Sequence, residues 1–115
     1  MNLIWGTCGN NGSWCGFFTV NLAHPYFDNM EGVYIIWQEK GPIIRVGQGN
    51  IRDRLSEHRK DSKINIFNNL LVTWAVVSED SRNGVERYLA NRLNPIVGSN
   101  FPNTNPLEVN LPWPF

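Results

Sequence analysis

Basic residues are missing from the first third of this 115-residue chain, because positions 1–39 contain no Lys or Arg and three acidic residues. No apolar run approaches the roughly 20 residues that a membrane span requires. The N-terminus also lacks the basic start and apolar stretch of a secretory signal peptide. These absences argue against a membrane or secreted protein, and we expect a cytoplasmic location.

Cysteine and histidine are scarce, with two residues of each type. Cys8 and Cys15 lie in a Gly- and Asn-rich segment, and without a secretory signal we expect free thiols rather than a disulfide. A structural zinc site takes about four ligands, and only His24 lies nearby. We therefore expect no zinc site in this segment.

The net charge is zero, which by itself argues against a nucleic-acid partner. The charges are nevertheless separated along the chain. Residues 40–63 contain seven Lys or Arg and three acidic residues, whereas residues 64–115 contain three Arg and four acidic residues. The middle block therefore carries +4 between flanks of −3 and −1. A nucleic acid would be attracted to this block.

The length and a hydrophobic content of 42% suit one domain, residues 1–115. Apolar patterns predict five elements, which are strands over about 33–38, 43–47 and 70–77 and helices over about 51–60 and 82–93. We expect an irregular lead-in over residues 1–31, a core over 32–100 and a Pro-rich extended tail over 101–115. The predicted fold is α+β, with a small antiparallel three-stranded sheet flanked by helices.

Tyr34 and Arg45 lie on two strands that should form a hairpin. Side chains alternate between the faces of a sheet, so an even-numbered loop places both residues on one face and an odd loop separates them. A cation on the same face would favour the ionised phenol. We therefore expect Arg45 to depress the pKa of Tyr34.

The second predicted strand leads through a glycine turn into a helix, with Asn50 in the N-cap position. Ile51, Leu55 and His58 recur at i, i+4 and i+7 and share one face of that helix. Arg54 lies at the edge of the same face. The pattern predicts a cation held against the body of the protein.

These residues resemble the GIY-YIG nuclease domain. The resemblance rests on Gly32-Val33-Tyr34, on Arg45-Val46-Gly47, on Arg54-Leu55 with His58, and on Glu86 in the second long helix, and it spans about residues 32–100. The stretch from Asn94 to Pro102 also looks like the end of the family domain. Arg45 occupies the position of the second family tyrosine, and either Asn94 or Asn100 matches the late family asparagine.

The resemblance implies a metal-dependent endonuclease that hydrolyses DNA. Tyr34, next to Arg45, would be the general base, Arg54 would clamp the scissile phosphate, and Glu86 would bind one Mg²⁺ or Mn²⁺ ion. His58 would orient the water or Tyr34 or bind phosphate; alternatively, it is a helix-face histidine bonded to a backbone carbonyl. We expect these five catalytic candidates to converge on one concave surface.

Candidate nucleic-acid contacts are Arg45, Arg54, Arg52, Arg59, Lys60 and Asn100. An ordinary solvated helix face also explains Arg52, Arg59 and Lys60, whereas Arg45 and Arg54 favour phosphate contact. Family domains commonly need a DNA-binding module, so we expect a partner protein, a homodimer or weak structure-directed binding. The alternative function is an inactive nucleic-acid-binding or protein-interaction module on the same fold.

Overall fold

A computed structural model describes residues 1–113. Its strands are β1 (Cys15–Gly16), β2 (Glu31–Gln38), β3 (Ile43–Asn50) and β4 (Leu70–Val76), and its helices are α1 (Ile51–Arg59), α2 (Ser62–Asn65) and α3 (Glu79–Leu93), with a short 3-10 helix at Pro25–Phe27. The strands form one antiparallel sheet in the order β1-β4-β2-β3. The α+β class is therefore confirmed, while the prediction of three strands is wrong because β1 adds a fourth.

The sheet has an apolar layer on each face. On one face Tyr34, Ile36 and Trp74 pack with Ile51 and Leu55 of α1. On the other face the β2 residues Val33 and Ile35 pack with the α3 residues Val85, Leu89 and Leu93. Strand β2 lies between β4 and β3 and is buried on both sides, as its unbroken apolar run from Val33 to Trp37 indicates.

The predicted helix start at Asn50 is confirmed, because the Asn50 side chain accepts a hydrogen bond from the Asp53 N–H at 3.0 Å. This cap starts α1 directly at the end of β3. As a result, residues of β3 and of the first two turns of α1 lie close together. That proximity positions the candidate site.

The lead-in is more ordered than the sequence predicts. Cys15 pairs with Val72 of β4, and Cys8 forms an isolated bridge with Ser13. The tight turn between them, with Gly9 and Gly12 at φ of 70° and 73°, brings the Cys8 and Cys15 Cα atoms to 5.0 Å and they form a disulfide. The prediction of free thiols is therefore wrong, because sequence spacing did not reveal this turn.

The described part of the tail packs on the α3 face of the sheet through Val109, Leu111 and Trp113. Val109 is buried there, and the Trp113 ring lies 4.1 Å from the ring of Trp37 between centroids. Pro114 and Phe115 of the predicted tail lie outside the described residues. Within residues 1–113 no helix is both long and apolar enough to cross a membrane.

Candidate active site

Tyr34 and His58 form a direct contact between the sheet and α1. The Tyr34 hydroxyl lies 2.6 Å from His58 Nε2. Tyr34 is 1% exposed, and His58 is half-buried. His58 therefore orients Tyr34, as one of its predicted alternatives stated, and a backbone carbonyl does not occupy this ring nitrogen.

Gly47 makes room for the Tyr34 ring. The two residues are directly opposite in the β2–β3 pairing, and a Cβ at Gly47 would overlap the Tyr34 hydroxyl and ring. Any other residue would displace the phenol from His58. The glycine of the Arg45-Val46-Gly47 pattern thus has a steric role in addition to its place in the strand.

Arg45 lies on the same face of the sheet as Tyr34, as predicted. It is opposite Ile36, diagonal to Tyr34, and a register shift follows between Ile36 and Trp37. Its Nη1 donates to the Val97 carbonyl at 3.5 Å, and Gly98 leaves space for the guanidinium. Within residues 1–113 the buried Arg45 Nε–H has no hydrogen-bond partner.

Burial decides the ionisation of Tyr34. It raises the pKa of this phenol from 10.0 to about 12, although the charge and hydrogen bonding of Arg45 act in the opposite direction. The predicted effect of Arg45 is present, but the prediction of a net depressed pKa is wrong. At neutral pH Tyr34 is a hydroxyl.

His58 is neutral at the same pH. Burial, and secondly the charge of Arg45, lower its pKa from 6.5 to about 4. In the tautomer that carries its proton on Nδ1, the neutral imidazole accepts a hydrogen bond from the Tyr34 hydroxyl at Nε2.

Glu86 is buried on α3, on the opposite face of the sheet from Tyr34. Its Oε1 accepts a hydrogen bond of 2.7 Å from Nε2 of Gln48, and the same nitrogen lies 2.6 Å from Oδ1 of Asn83. Burial raises the pKa of the Glu86 carboxyl, while the Gln48 hydrogen bond and the charge of Arg45 lower it. Arg45 therefore acts electrostatically on residues of both faces.

The five catalytic candidates approach one another around the outer strand β3. The charges of Arg45, Glu86 and Arg54 all affect the pKa of Tyr34, and Arg54 also affects that of His58. The expectation that all five candidates converge on one concave surface is wrong for Glu86, because Tyr34 and Glu86 lie on opposite faces of the sheet. Arg45 is the cation whose charge acts on the pKa of both residues.

Arg54 is accessible. Its side chain is 47% exposed, lies against Gly49 and pairs with Glu57 at 3.3 Å. An exposed ion pair of this kind contributes little to stability, about 0.5 kcal/mol. Arg54 can therefore exchange Glu57 for an anionic ligand at small cost.

Two of the candidate nucleic-acid contacts, Arg52 and Arg59, are hydrogen-bonded to the lead-in and do not form an ordinary solvated helix face. Arg52 donates to the carbonyls of Leu22 and His24 and pairs with Asp28 at 2.7 Å. Arg59 donates to the carbonyls of Phe17 and Val20. Interpreting these two arginines as an ordinary solvated face is therefore wrong.

The remaining contact candidates are Lys60 and Asn100, and both are exposed. Asn94, the alternative family asparagine, ends α3 in the left-handed conformation at φ 49°. Asn tolerates this conformation better than most residues, so the structure supplies a conformational reason for Asn94. It supplies none for Asn100.

Glu86 fits a divalent ion as a single carboxylate ligand. Across residues 1–113 no group of three or more His, Cys, Asp or Glu side chains is arranged around one point. Oε1 of Glu86 is held by Gln48, and within the described chain Oε2 makes no hydrogen bond. One free carboxylate oxygen, with water and phosphate oxygens completing the shell, suits Mg²⁺ or Mn²⁺.

Sequence reasoning missed Gln48, although a signal was available. Gln48 follows Val46 by two positions on β3, so it lies on the same face as Val46, which packs against α3. A polar residue at that position needs a partner on the helix.

Comparisons of the chain with protein-family models, with curated proteins and with solved structures find no match.

Proposed function

We propose that this protein is a metal-dependent endonuclease that hydrolyses phosphodiester bonds in DNA. The proposal is carried by one observation, the 2.6 Å contact between the Tyr34 hydroxyl and Nε2 of His58, with Arg45 on the same face of the sheet. These residues come from β2, β3 and α1. The resemblance to the GIY-YIG nucleases supports the same assignment of roles.

Tyr34 and His58 would move a proton as a pair. A water that attacks phosphorus would give its proton to the Tyr34 oxygen, while the Tyr34 hydroxyl proton passes to Nε2 of His58. This path needs no free phenolate, which agrees with a Tyr34 pKa of about 12. His58 starts neutral and ends as the imidazolium, next to the developing negative charge of the phosphate.

Arg45 and Arg54 would stabilise that negative charge. The buried Arg45 Nε–H without a partner favours an anion nearby, since an unsatisfied buried donor costs about 1–3 kcal/mol. Arg54 is exposed and can reach substrate from solvent. Glu86 would hold Mg²⁺ or Mn²⁺, which would supply charge stabilisation on the leaving-group side.

The primary test is plasmid nicking with Mg²⁺ or Mn²⁺. We expect the wild-type protein to nick DNA, EDTA to abolish nicking, and Glu86→Gln to reduce the rate at least about 100-fold, as expected for loss of an electrostatic contribution to the transition state. Glu79→Gln is the matched control, because Glu79 is an exposed carboxylate in the first turn of α3. Equal activity of Glu86→Gln and Glu79→Gln would refute the proposed metal ligand.

Arg54→Ala should raise the activation free energy of nicking by about 3 kcal/mol. The stability of the fold should change little, because an exposed cation adds little to folding. Glu57→Ala breaks the same ion pair and keeps the cation, so it should retain activity. Rates and melting temperatures of both variants decide the matter. Parallel losses of rate and melting temperature in Arg54→Ala would identify a structural arginine.

The burial of Tyr34 favours a second candidate, the inactive binding module. A phenol that is 1% exposed must become accessible to a water before it can take part in hydrolysis. In a binding module, Arg45→Met and Arg54→Ala would weaken DNA binding and reduce its salt dependence by about one charge each, with no cleavage at any metal concentration. DNA binding by the wild type without any nicking would therefore identify the binding module, and nicking would identify the endonuclease.

The proposed function also bears on the partners and the cellular location of the protein. We propose that a partner protein or a homodimer supplies additional contact to DNA. The cytoplasmic location stays a prediction, and the Cys8–Cys15 disulfide argues against it, because disulfides persist mainly in oxidising compartments.

A further inference from the structure

Gln48 connects β3 to α3 through a single side-chain nitrogen. Its Nε2 donates to Oε1 of Glu86 at 2.7 Å and to Oδ1 of Asn83 at 2.6 Å. Asn83 and Glu86 are three residues apart on α3, so they are neighbours on one side of the helix. The two N–H groups of the amide can therefore serve both acceptors at the same time.

This arrangement restricts how Glu86 can bind a cation. Oε1 is engaged by Gln48, and in the described chain Oε2 is left without a hydrogen bond. The hydrogen bond to Oε1 competes with a metal for that oxygen, so it favours metal binding through Oε2. Single-oxygen binding suits Mg²⁺ and Mn²⁺, whereas Ca²⁺ readily takes both oxygens of a glutamate.

The hydrogen bond to Asn83 holds the Gln48 amide in the orientation that contacts Glu86. Glu86 is buried and Gln48 is partly buried, while Asn83 is exposed at the surface of α3. The second hydrogen bond fixes the Gln48 amide, so the side chain presents its nitrogen to Glu86. Groups that orient a metal ligand in this way commonly change metal affinity about 10- to 100-fold when they are removed.

We propose that Gln48 is a positioning residue that holds Glu86 for single-oxygen binding of a divalent ion and so favours Mg²⁺ and Mn²⁺ over Ca²⁺. The inference rests on the proposed function, since it takes Glu86 as the metal ligand. It gives Gln48 a role in the choice of metal, in addition to the metal-binding role proposed for Glu86.

The test uses the full chain and compares Mn²⁺ and Ca²⁺ binding by calorimetry. Gln48→Met keeps the length of the side chain and removes both hydrogen bonds, so Mn²⁺ binding should weaken by about 10-fold and Ca²⁺ binding should weaken less. Gln38→Met is the matched control, because Gln38 donates to the Asn68 carbonyl and has no contact with Glu86. Its Mn²⁺ and Ca²⁺ affinities should equal those of the wild type.

A second measurement reports the contact directly. In NMR spectra of the wild type, Mn²⁺ should broaden the side-chain amide resonances of Gln48 and leave those of Gln38 sharp. In the metal-free protein, Glu86→Gln should shift the same Gln48 resonances. If Gln48→Met does not fold, Gln48→Val replaces it, since valine is favoured in strands.

The outcomes separate this inference from the proposed function. If Mn²⁺ broadens Gln48 and Glu86→Gln abolishes binding, while Gln48→Met keeps the wild-type affinities and Ca²⁺ to Mn²⁺ ratio, the inference is overturned and the metal site stands. If Glu86→Gln binds Mn²⁺ as tightly as the wild type, the metal site and the inference are both overturned. A reduced preference for Mn²⁺ over Ca²⁺ in Gln48→Met alone supports the positioning role.

Discussion

At the residue scale, the chemistry of this protein depends on how burial and charge compete at Tyr34 and His58. Burial favours the neutral form of both groups, and the hydrogen bond between them pairs a neutral donor with a neutral acceptor. Arg45 opposes burial at Tyr34 and reinforces it at His58. The pair is therefore suited to passing a proton and unsuited to holding a resting phenolate.

His58 should make the stability of the protein depend on pH. Its pKa falls from 6.5 to about 4 on folding, so the unfolded chain binds more protons in that interval. The stabilising effect of the neutral form is complete above about pH 6.5 and is lost as the pH falls through about 4. Urea unfolding of the wild type at several pH values should show this loss, and His58→Gln should show less of it.

His24→Gln is the control for this experiment, because His24 is the second histidine of the chain and accepts a hydrogen bond from the Tyr26 N–H, away from Tyr34. It should keep the wild-type dependence on pH. The same pH dependence in the wild type and in His58→Gln would mean that burial in the folded protein does not favour a neutral His58.

At the element scale, one side of helix α1 contacts the sheet and another side contacts the lead-in. One side packs Ile51 and Leu55 onto the sheet and presents His58 to Tyr34. The other side holds the lead-in through Arg52 and Arg59, whose guanidinium groups donate to backbone carbonyls. Much of the positive charge of α1 is therefore used within the molecule, which leaves Arg54 on the helix and Lys60 at its C-cap as accessible cations.

Arg59→Met should destabilise the fold by about 2 kcal/mol, because two charge-assisted hydrogen bonds to the carbonyls of Phe17 and Val20 are lost. Lys60→Met is the control, since Lys60 is exposed and adjacent in sequence. Chemical denaturation of both variants measures the difference. Equal stabilities would show that the lead-in does not depend on Arg59.

At the scale of the whole molecule, the lead-in is hydrogen-bonded both to the sheet and to the described part of the tail. Leu3 and Asn110 exchange hydrogen bonds between the lead-in and the tail, and Trp5 donates to the Asn110 carbonyl. The Thr73 hydroxyl of β4 donates to the Gly6 carbonyl. The Cys8–Cys15 disulfide closes the loop that follows Gly6 in the lead-in.

Removal of the disulfide should lower stability by about 2.5 kcal/mol, since it closes a loop between residues seven positions apart and so restricts the unfolded chain. The double variant Cys8→Ala/Cys15→Ala and the reduced wild type should melt at similar, lower temperatures. Thiol alkylation followed by mass measurement checks the pairing. Two alkylated cysteines in the protein purified without reductant, with no gain of stability on oxidation, would contradict it.

Local patterns in the sequence were sufficient for the elements that carry the candidate site. The apolar runs placed β2, β3 and β4 to within a few residues, and Asn50 identified the start of α1. Alternation of side chains placed Arg45 and Tyr34 on one face. These features depend on neighbours in sequence or on one hairpin, so they can be predicted from the chain alone.

Contacts between distant residues were decided only by the tertiary structure. The net pKa of Tyr34 depends on how much sheet and helix surround it, and sequence separation does not report that burial. The same is true of the Cys8–Cys15 pairing, the carbonyl acceptors of Arg52 and Arg59, and the contact between Gln48 and Glu86. The sequence alone determined which residues could act, whereas packing determined their ionisation and their partners, because both depend on the groups that folding brings within a few ångströms.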